Sequence, residues 1–176
     1  MDDMGTLMHS PHEDSPDLAA LRSYHRRTGA SHFASSASVL PVLLSVRGRM
    51  RGGDVCLLGK AHGITAYNLV FDIPMESTPV QGEFGSLGSA LPFALGVALM
   101  KPEQTVFVVV GDGEMQEGSC LEALLAMDRL GIRNVEVHVD GNGMQGMGDC
   151  PRPRFPAIFY HQTVKGGGWT CHYAGA

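Results

Sequence analysis

Two valine-rich runs, each followed by glycine, acidic or amide residues, carry the chemistry of this chain. The run 106–110 is followed by Gly111-Asp112-Gly113, and the run 135–139 is followed by Asp140-Gly141-Asn142. Both runs are rich in valine and too short for a helix, which predicts strands of a parallel sheet, the first of them fully buried. Open α/β sheets bind ligands outside the carboxyl ends of their strands. We therefore expect Asp112 and Asn142 to meet at that edge.

These residues have the donor chemistry of a hard cation site. The Asp112 carboxylate, the Asn142 amide and the Met144 carbonyl supply oxygen atoms that suit Mg²⁺ or Ca²⁺, with a diphosphate and water completing the shell. Glycine at 113 and 118 lets an anion approach the backbone closely. A plain glycine turn between a strand and a helix is the alternative for residues 111–113 alone. The downstream Asn142 favours the metal site.

A helix is predicted directly after this loop. Ser119 and Glu122 have the spacing of a capping box, and leucines at 121, 124, 125 and 130 repeat at helical spacing until Gly131. The amino end of this helix would present backbone N–H groups toward the sheet edge.

Other elements are predicted by their end signals and periodicity. Ser15-Pro16 predicts the start of a helix that ends near Gly29. A second helix is expected over about 36–50 with Pro41 in its first turn, a strand over 54–58, and further helices over 64–71 and about 87–100.

Segments around the metal motif resemble the transketolase family. The Asp112 and Asn142 segments resemble its thiamine diphosphate signature, and residues 85–98 resemble its glycine-rich helix start beside the cofactor. Three more stretches resemble the family's SGH, LSKGHA and TIKGKG segments: Ala30-Ser31-His32, Leu57-Leu58-Gly59-Lys60-Ala61-His62-Gly63 and Thr163-Val164-Lys165-Gly166-Gly167-Gly168. Together these segments cover most of residues 28–172.

The resemblance implies a doubly wound α/β fold, with a mainly parallel sheet of about five strands and helices on both faces. Residues 16–176 would form the pyrophosphate-binding domain, which is N-terminal in transketolases, and residues 1–15 a disordered acidic tail. One αβ unit of the family is missing between the asparagine loop and the TIKGKG-like segment. The loop 72–84 lacks the histidine that contacts sugar hydroxyls in transketolases, which leaves the substrate open.

The resemblance also assigns roles to individual residues. It implies that the cofactor is bound by Gly85, Ser86, Leu87, Gly111, Asp112, Gly113, Glu114, Asn142 and Lys165. Metal ligands would be Asp112, Asn142 and Met144. His32, His62 and His172 would line the substrate channel as catalytic residues, and Glu117 and Glu122 would join an acidic network at a subunit interface. The competing interpretations are packing or solvent-facing histidines, a solvent-facing Lys165, and a Glu122 that only caps its helix.

Thiamine diphosphate supplies a carbanion that attacks a carbonyl and makes or breaks a carbon–carbon bond. In the family, the glutamate that activates the cofactor belongs to another domain, which no segment here resembles. The resemblance therefore implies the metal-binding subunit of a split transketolase-like transferase, which moves a two-carbon ketol or acyl unit. It would be active only with a second subunit that carries the pyrimidine-binding domain, as an α2β2 heterotetramer. The alternatives are an α subunit of a 2-oxo acid dehydrogenase, acetoin-type or acyloin-forming enzyme, and a noncatalytic regulator that retains the fold.

Composition limits the remaining possibilities. A chain of 176 residues that is 44% hydrophobic can bury the core of one domain. Its net charge of −5 disfavours a nucleic-acid surface, and its apolar runs are too short for a membrane span. The acidic start lacks the pattern of a signal peptide, so we expect a cytoplasmic protein. The 4 cysteines lie far apart and predict free thiols.

Overall fold

The computed structural model describes residues 15–29, 33–59, 63–72, 86–142, 144–145, 148–149 and 172–175. Residues 144–145, 148–149 and 172–175 are described through their backbone. The predictions for His32, His62, Gly85 and Lys165 lie outside the described residues, as does the tail at 1–14.

A parallel sheet forms the centre of the domain. It contains β1 (Val55–Leu58), β2 (Val106–Gly111), β3 (Val135–Gly141) and β6 (His172–Gly175), in the order β1-β2-β3-β6, and each neighbouring pair is parallel. A short antiparallel hairpin, β4 (Met144–Gln145) with β5 (Gly148–Asp149), follows β3. About five strands were expected, and the sheet has 4 in the described part of the chain.

Helices cover both faces of this sheet. They are α1 (Pro16–Thr28), α2 (Phe33–Arg49), α3 (Ile64–Phe71), α4 (Ala90–Met100) and α5 (Gly118–Arg129), with a 3₁₀ turn at Glu114–Gln116. Phe107 and Val109 of β2 pack with α1, α2 and α3, whereas Val106, Val108 and Val110 pack with α4 and α5. Successive strand residues point to opposite faces, so an entirely apolar β2 fills two cores. This arrangement confirms the predicted doubly wound α/β class.

Local sequence signals determine both ends of α1, whereas tertiary packing determines where α2 begins. α1 begins as predicted, because Ser15 Oγ accepts the Leu18 N–H at 3.2 Å, and it ends at Gly29 with a φ of 65°. α2 begins earlier than expected, at Phe33, so Pro41 lies inside the helix and the prediction of a first-turn proline is wrong. The Phe33 ring meets His25 of α1 edge-on at 5.2 Å, a tertiary contact that favours the longer helix.

The predicted capping box of α5 is wrong. The helix begins at Gly118, its N-cap residue Glu117 makes no side-chain cap, and Ser119 already lies inside the helix. The Ser119 hydroxyl instead donates to the Gly88 carbonyl at 2.9 Å. Cys120, Ala123, Leu124 and Met127 form the buried face. A contact to the start of α4 has replaced the local cap.

Two further expectations can be compared with the structure. Within the described ranges, no helix is both long enough and apolar enough to cross a membrane. Cys56 and Cys120 are free and buried, as predicted, and burial raises the pKa of each thiol to about 12.

Candidate functional site

The carboxyl ends of β2 and β3 form one edge of the sheet and bring the two predicted metal ligands close in space. Gly111 lies opposite Asp140 in the register of the two strands. The backbone N–H of Asp112 donates to the Asp140 carbonyl at 3.1 Å. Asp112 therefore directly follows the last residue of β2, beside the point where the chain leaves β3 toward Asn142. We call this region, residues 111–114 with 140–142, the ligand edge.

Asp112 opens the turn that leads from β2 into α5. Its Oδ1 accepts the Gly113 N–H at 2.8 Å, and Gly113 is followed by the 3₁₀ turn. The predicted bond from the Gly113 N–H to a diphosphate stays a prediction, because that N–H is directed at the Asp112 carboxylate here. Both residues are partly exposed, so a ligand can approach them.

Asn142 is held by side-chain hydrogen bonds to Ser38 and Asp140, which also bond to each other. Its Nδ2 donates to Ser38 Oγ at 2.9 Å and to Asp140 Oδ2 at 3.2 Å. The Ser38 hydroxyl donates to the same Asp140 Oδ2 at 2.8 Å. An amide held through its nitrogen would coordinate a cation through its oxygen, which is the atom that hard cations prefer.

The donor set at the ligand edge therefore fits Mg²⁺ or Ca²⁺. A carboxylate, an amide oxygen and the Met144 carbonyl, which lies in β4 just after the loop, are oxygen donors of the required type. The described residues contain no group of three His, Cys, Asp or Glu side chains suited to a metal.

Glu114 is the buried member of the ligand edge and is not exposed on its surface. Its side chain is buried, and its Oε1 accepts the Gly88 N–H at 3.1 Å. Burial raises the pKa of the Glu114 carboxyl, although backbone hydrogen bonds partly oppose this, and the nearby Glu117 adds to the rise. Its Oε2 is buried without a hydrogen-bond partner among the described residues. Gly59, just after β1, makes room for this carboxyl, since a Cβ there would overlap it.

Gly88 connects the ligand edge to the loop before α4. Its N–H donates to the Glu114 carboxyl, and its carbonyl accepts a hydrogen bond from the Ser119 hydroxyl. Its φ of +81° suits glycine, and a Cβ there would overlap Ser119 Oγ. We call these three residues the Gly88 clasp. The clasp holds the described part of one predicted cofactor segment, residues 86–87, next to the other, residues 111–114.

The other predicted site residues have varied positions. Ser86 and Leu87 are exposed just before α4, and Glu117 and Glu122 are exposed at the start of α5. His172 pairs with His138 in the β3–β6 register, which places its backbone four residues before the level of Asn142. At about 3.3 Å per residue, this is roughly 13 Å along the strand from the level of Asn142.

Sequence reasoning missed Ser38, Asp140 and the Gly88 clasp as parts of the site. Asp140 had a usable signal, because it is two residues before Asn142 at the end of a strand. Ser38 had none, because its bond to Asp140 joins residues 102 positions apart. The Ser119 hydroxyl was assigned to a local cap.

Fold and site together define an α/β domain that presents hard oxygen donors at the carboxyl edge of a parallel sheet. Residues 58–165 match the family described as "Thiamine pyrophosphate enzyme, C-terminal TPP binding domain". The chain belongs to this family of thiamine pyrophosphate enzymes. The matched range includes β2, β3 and the whole ligand edge.

Three similar proteins can be compared with this chain, and two of them have transketolase names. Ferredoxin fas2 of Rhodococcoides fascians is 32% identical over 171 residues, which cover 75% of this chain and 56% of that protein. Transketolase-like protein 2 of Mus musculus is 29% identical over 150 residues, which cover 78% of this chain and 22% of that protein. An apulose-4-phosphate transketolase subunit of Phocaeicola vulgatus is 28% identical over 119 residues, which cover 52% of this chain and 42% of that protein. The chain thus spans little more than half, or less, of each of these relatives.

Proposed function

We propose that this chain is the pyrophosphate- and metal-binding subunit of a split transketolase-like enzyme. It would transfer a two-carbon ketol or acyl unit with thiamine diphosphate and Mg²⁺ or Ca²⁺. The observation that carries the proposal is the meeting of Asp112 and Asn142 at one sheet edge, in a chain of the thiamine pyrophosphate enzyme family. The domain would correspond to the N-terminal domain of transketolases.

The residues at the ligand edge would bind the diphosphate of the cofactor together with its cation. Asp112, Asn142 and the Met144 carbonyl would hold the cation, and the cation would neutralise the diphosphate. When bound, the cofactor supplies the carbanion chemistry by which carbon–carbon bonds are made or broken. The segments joined by the Gly88 clasp would give the diphosphate a fixed backbone surface.

Glu114 would support this site from within the fold. Its buried carboxyl accepts the Gly88 N–H at 3.1 Å, and burial raises the pKa of that carboxyl. Its role would be to hold the loop before α4 next to the turn that follows β2.

An exposed apolar surface on α4 and α5 supports a second polypeptide as partner. Phe93 is 56% exposed, Met100 84% and Leu125 55%, although α4 and α5 pack against each other. Large apolar side chains that stay exposed on two neighbouring helices favour a protein–protein contact there. We propose that a second subunit with the pyrimidine-binding domain covers this surface in an α2β2 assembly, near Glu117 and Glu122. The Phocaeicola vulgatus relative, whose name marks it as one subunit of a transketolase, favours a divided enzyme.

Gaps in the alignments bear on the missing αβ unit. An alignment of 171 residues that uses 75% of a 176-residue chain must contain gaps on this chain's side. We propose that these gaps include the αβ unit that the resemblance marks as missing.

Titration of the full chain with thiamine diphosphate and Mg²⁺ tests the proposed site. Asp112→Ala should lower the affinity for the metal–cofactor pair more than about 100-fold, because it removes a charged ligand. Asp128→Ala, an exposed aspartate on α5, is the matched control and should leave the affinity unchanged. Equal affinity of the Asp112→Ala variant and the wild type would refute the site.

The proposed catalytic histidines require the assembled enzyme. With the partner present, His32→Ala and His62→Ala should slow turnover by on the order of 10²-fold while cofactor affinity changes little, because imidazole can donate to an oxyanion that develops during the reaction. His172→Ala tests the third histidine in the same assay. Turnover of the chain without a partner would contradict the split-subunit proposal.

A further inference from the structure

Asp140 contacts both predicted metal ligands in different ways. Its backbone carbonyl accepts the Asp112 N–H at 3.1 Å, and its carboxylate accepts the Asn142 amide at 3.2 Å. The residue itself is only 4% exposed. It lies in β3, a central strand of the sheet. One buried residue therefore connects the two strand ends that carry the ligands.

Ser38 connects this point to α2. Its hydroxyl donates to Asp140 Oδ2 at 2.8 Å and accepts the Asn142 amide at 2.9 Å. The residues that follow Ser38 on α2 are anchored in the core, where Val39 and Leu40 are almost fully buried. A packed helix has little freedom to shift, so the hydroxyl is held in place.

The chemistry of the three groups determines the orientation of the Asn142 amide. Its two N–H protons have two acceptors, Ser38 Oγ and Asp140 Oδ2. The reversed amide would direct its oxygen at the Asp140 carboxylate, where two acceptors repel each other. In the observed orientation, the amide oxygen is the atom that would coordinate the proposed cation. Ser38 donates its own proton to the carboxylate oxygen.

We infer that Ser38 and Asp140 are positioning residues that hold Asn142, and through the backbone Asp112, in the geometry that binds the cation. The inference rests on the proposed metal site and adds α2 to the elements that build it. Neither residue would touch the cation. Residues that orient metal ligands typically change metal affinity by about 10–100-fold when they are replaced.

Metal affinity can be measured with Mn²⁺ as the probe, by electron paramagnetic resonance on the full chain with saturating thiamine diphosphate. Ser38→Ala should weaken Mn²⁺ binding about 10-fold, whereas Ser38→Thr, which keeps the hydroxyl, should restore most of the affinity. Ser45→Ala, about two turns further along α2, is the matched control and should bind as the wild type does. Affinities should be measured at a temperature well below the lowest unfolding midpoint among the variants, so that unfolding of a less stable variant does not change its apparent affinity.

A second readout needs no metal. In the free protein, the side-chain amide protons of Asn142 should exchange slowly with water and shift clearly in the NMR spectrum of Ser38→Ala, but not of Ser45→Ala. A role limited to helix packing would lower stability without moving this amide signal. Where the wild type binds Mn²⁺, an unchanged affinity in Ser38→Ala would overturn the inference.

Asn142→Ala separates this inference from the proposed function. If Asn142→Ala abolishes Mn²⁺ binding and Ser38→Ala does not weaken it, the metal site stands and the positioning role is refuted. If Asn142→Ala binds Mn²⁺ as the wild type does, or the wild type does not bind it, the proposed metal site is refuted for the lone chain. The NMR signal of Asn142 then still decides whether Ser38 holds the amide.

Discussion

The ligand edge is held from both faces of the sheet, and the two faces hold it differently. On the α2 face, the side chains of Ser38 and Asp140 orient a side chain, that of Asn142. On the α4 face, Glu114 and Ser119 hold a backbone unit, that of Gly88. The first arrangement sets the direction of a ligand atom, and the second sets the path of the main chain. Changes on the α2 face should therefore act mainly on affinity, and changes on the α4 face mainly on stability.

The largest expected effect comes from removing the ligand that the α2 face orients. Asn142→Ala should weaken Mg²⁺-dependent binding of thiamine diphosphate more than about 100-fold, because an oxygen ligand is lost. The unfolding midpoint should change little, since the side chain is only partly buried. Calorimetric titration and thermal unfolding measure the two quantities. If Asn142→Ala lost much stability and kept its affinity, the α2 face would act on stability, which contradicts the difference proposed between the two faces.

Gly88→Ala tests the α4 face. The new Cβ would overlap Ser119 Oγ and require a left-handed backbone, so unfolding free energy should fall by about 1–3 kcal/mol. Gly96→Ala, on α4 at a position where a Cβ meets nothing within 4 Å, is the control and should be neutral or stabilising. Urea unfolding measures both variants. Equal stability of the two variants would show that the Gly88 clasp is not tight.

Two acidic residues on the same side of β3 allow a matched comparison within the α2 face. Asp140→Asn keeps the shape but weakens the acceptor that holds Asn142, so Mn²⁺ affinity should fall about 10-fold. Glu136→Gln removes the charge that pairs with Arg49 at 2.5 Å, further from the ligand edge, and should leave the affinity unchanged. That pair is partly exposed, so its stability cost should stay below about 1 kcal/mol. If both variants lower Mn²⁺ affinity equally, a general effect of negative charge explains the result better than positioning.

Glu114→Gln should show a pH-dependent effect on stability. Burial raises the pKa of this carboxyl in the folded protein, so its contribution to stability is present below its unfolded pKa and is lost as pH rises through the folded value. Glutamine does not titrate. The stability of the variant relative to the wild type should therefore increase from about pH 4.5 toward pH 8, as measured by urea unfolding at several pH values. A difference that is constant over this range would show that Glu114 titrates normally.

Much of the scaffold could be predicted because its signals are local. The valine-rich runs that become β2 and β3 and the end signals of α1 each depend on residues that are near one another in the chain. The same is true of the ligand edge itself, since parallel strands must end on the same side. Local patterns gave wrong predictions where tertiary packing determined the helix start. Pro41 lies inside α2 and not in its first turn, and Ser119 lies inside α5 and does not cap it.

The sequence by itself predicted parallel strands that place Asp112 and Asn142 at one edge, because strand burial and glycine turns follow from residue type and order, and its resemblance to the transketolase family implied the doubly wound class. Tertiary structure alone decided which side chains orient that pair. Ser38 lies 104 residues from Asn142, and Ser119 lies 31 residues from Gly88. No periodicity or motif encodes contacts over such separations. They exist only because the helices on the two faces of the sheet bring these groups to its edge.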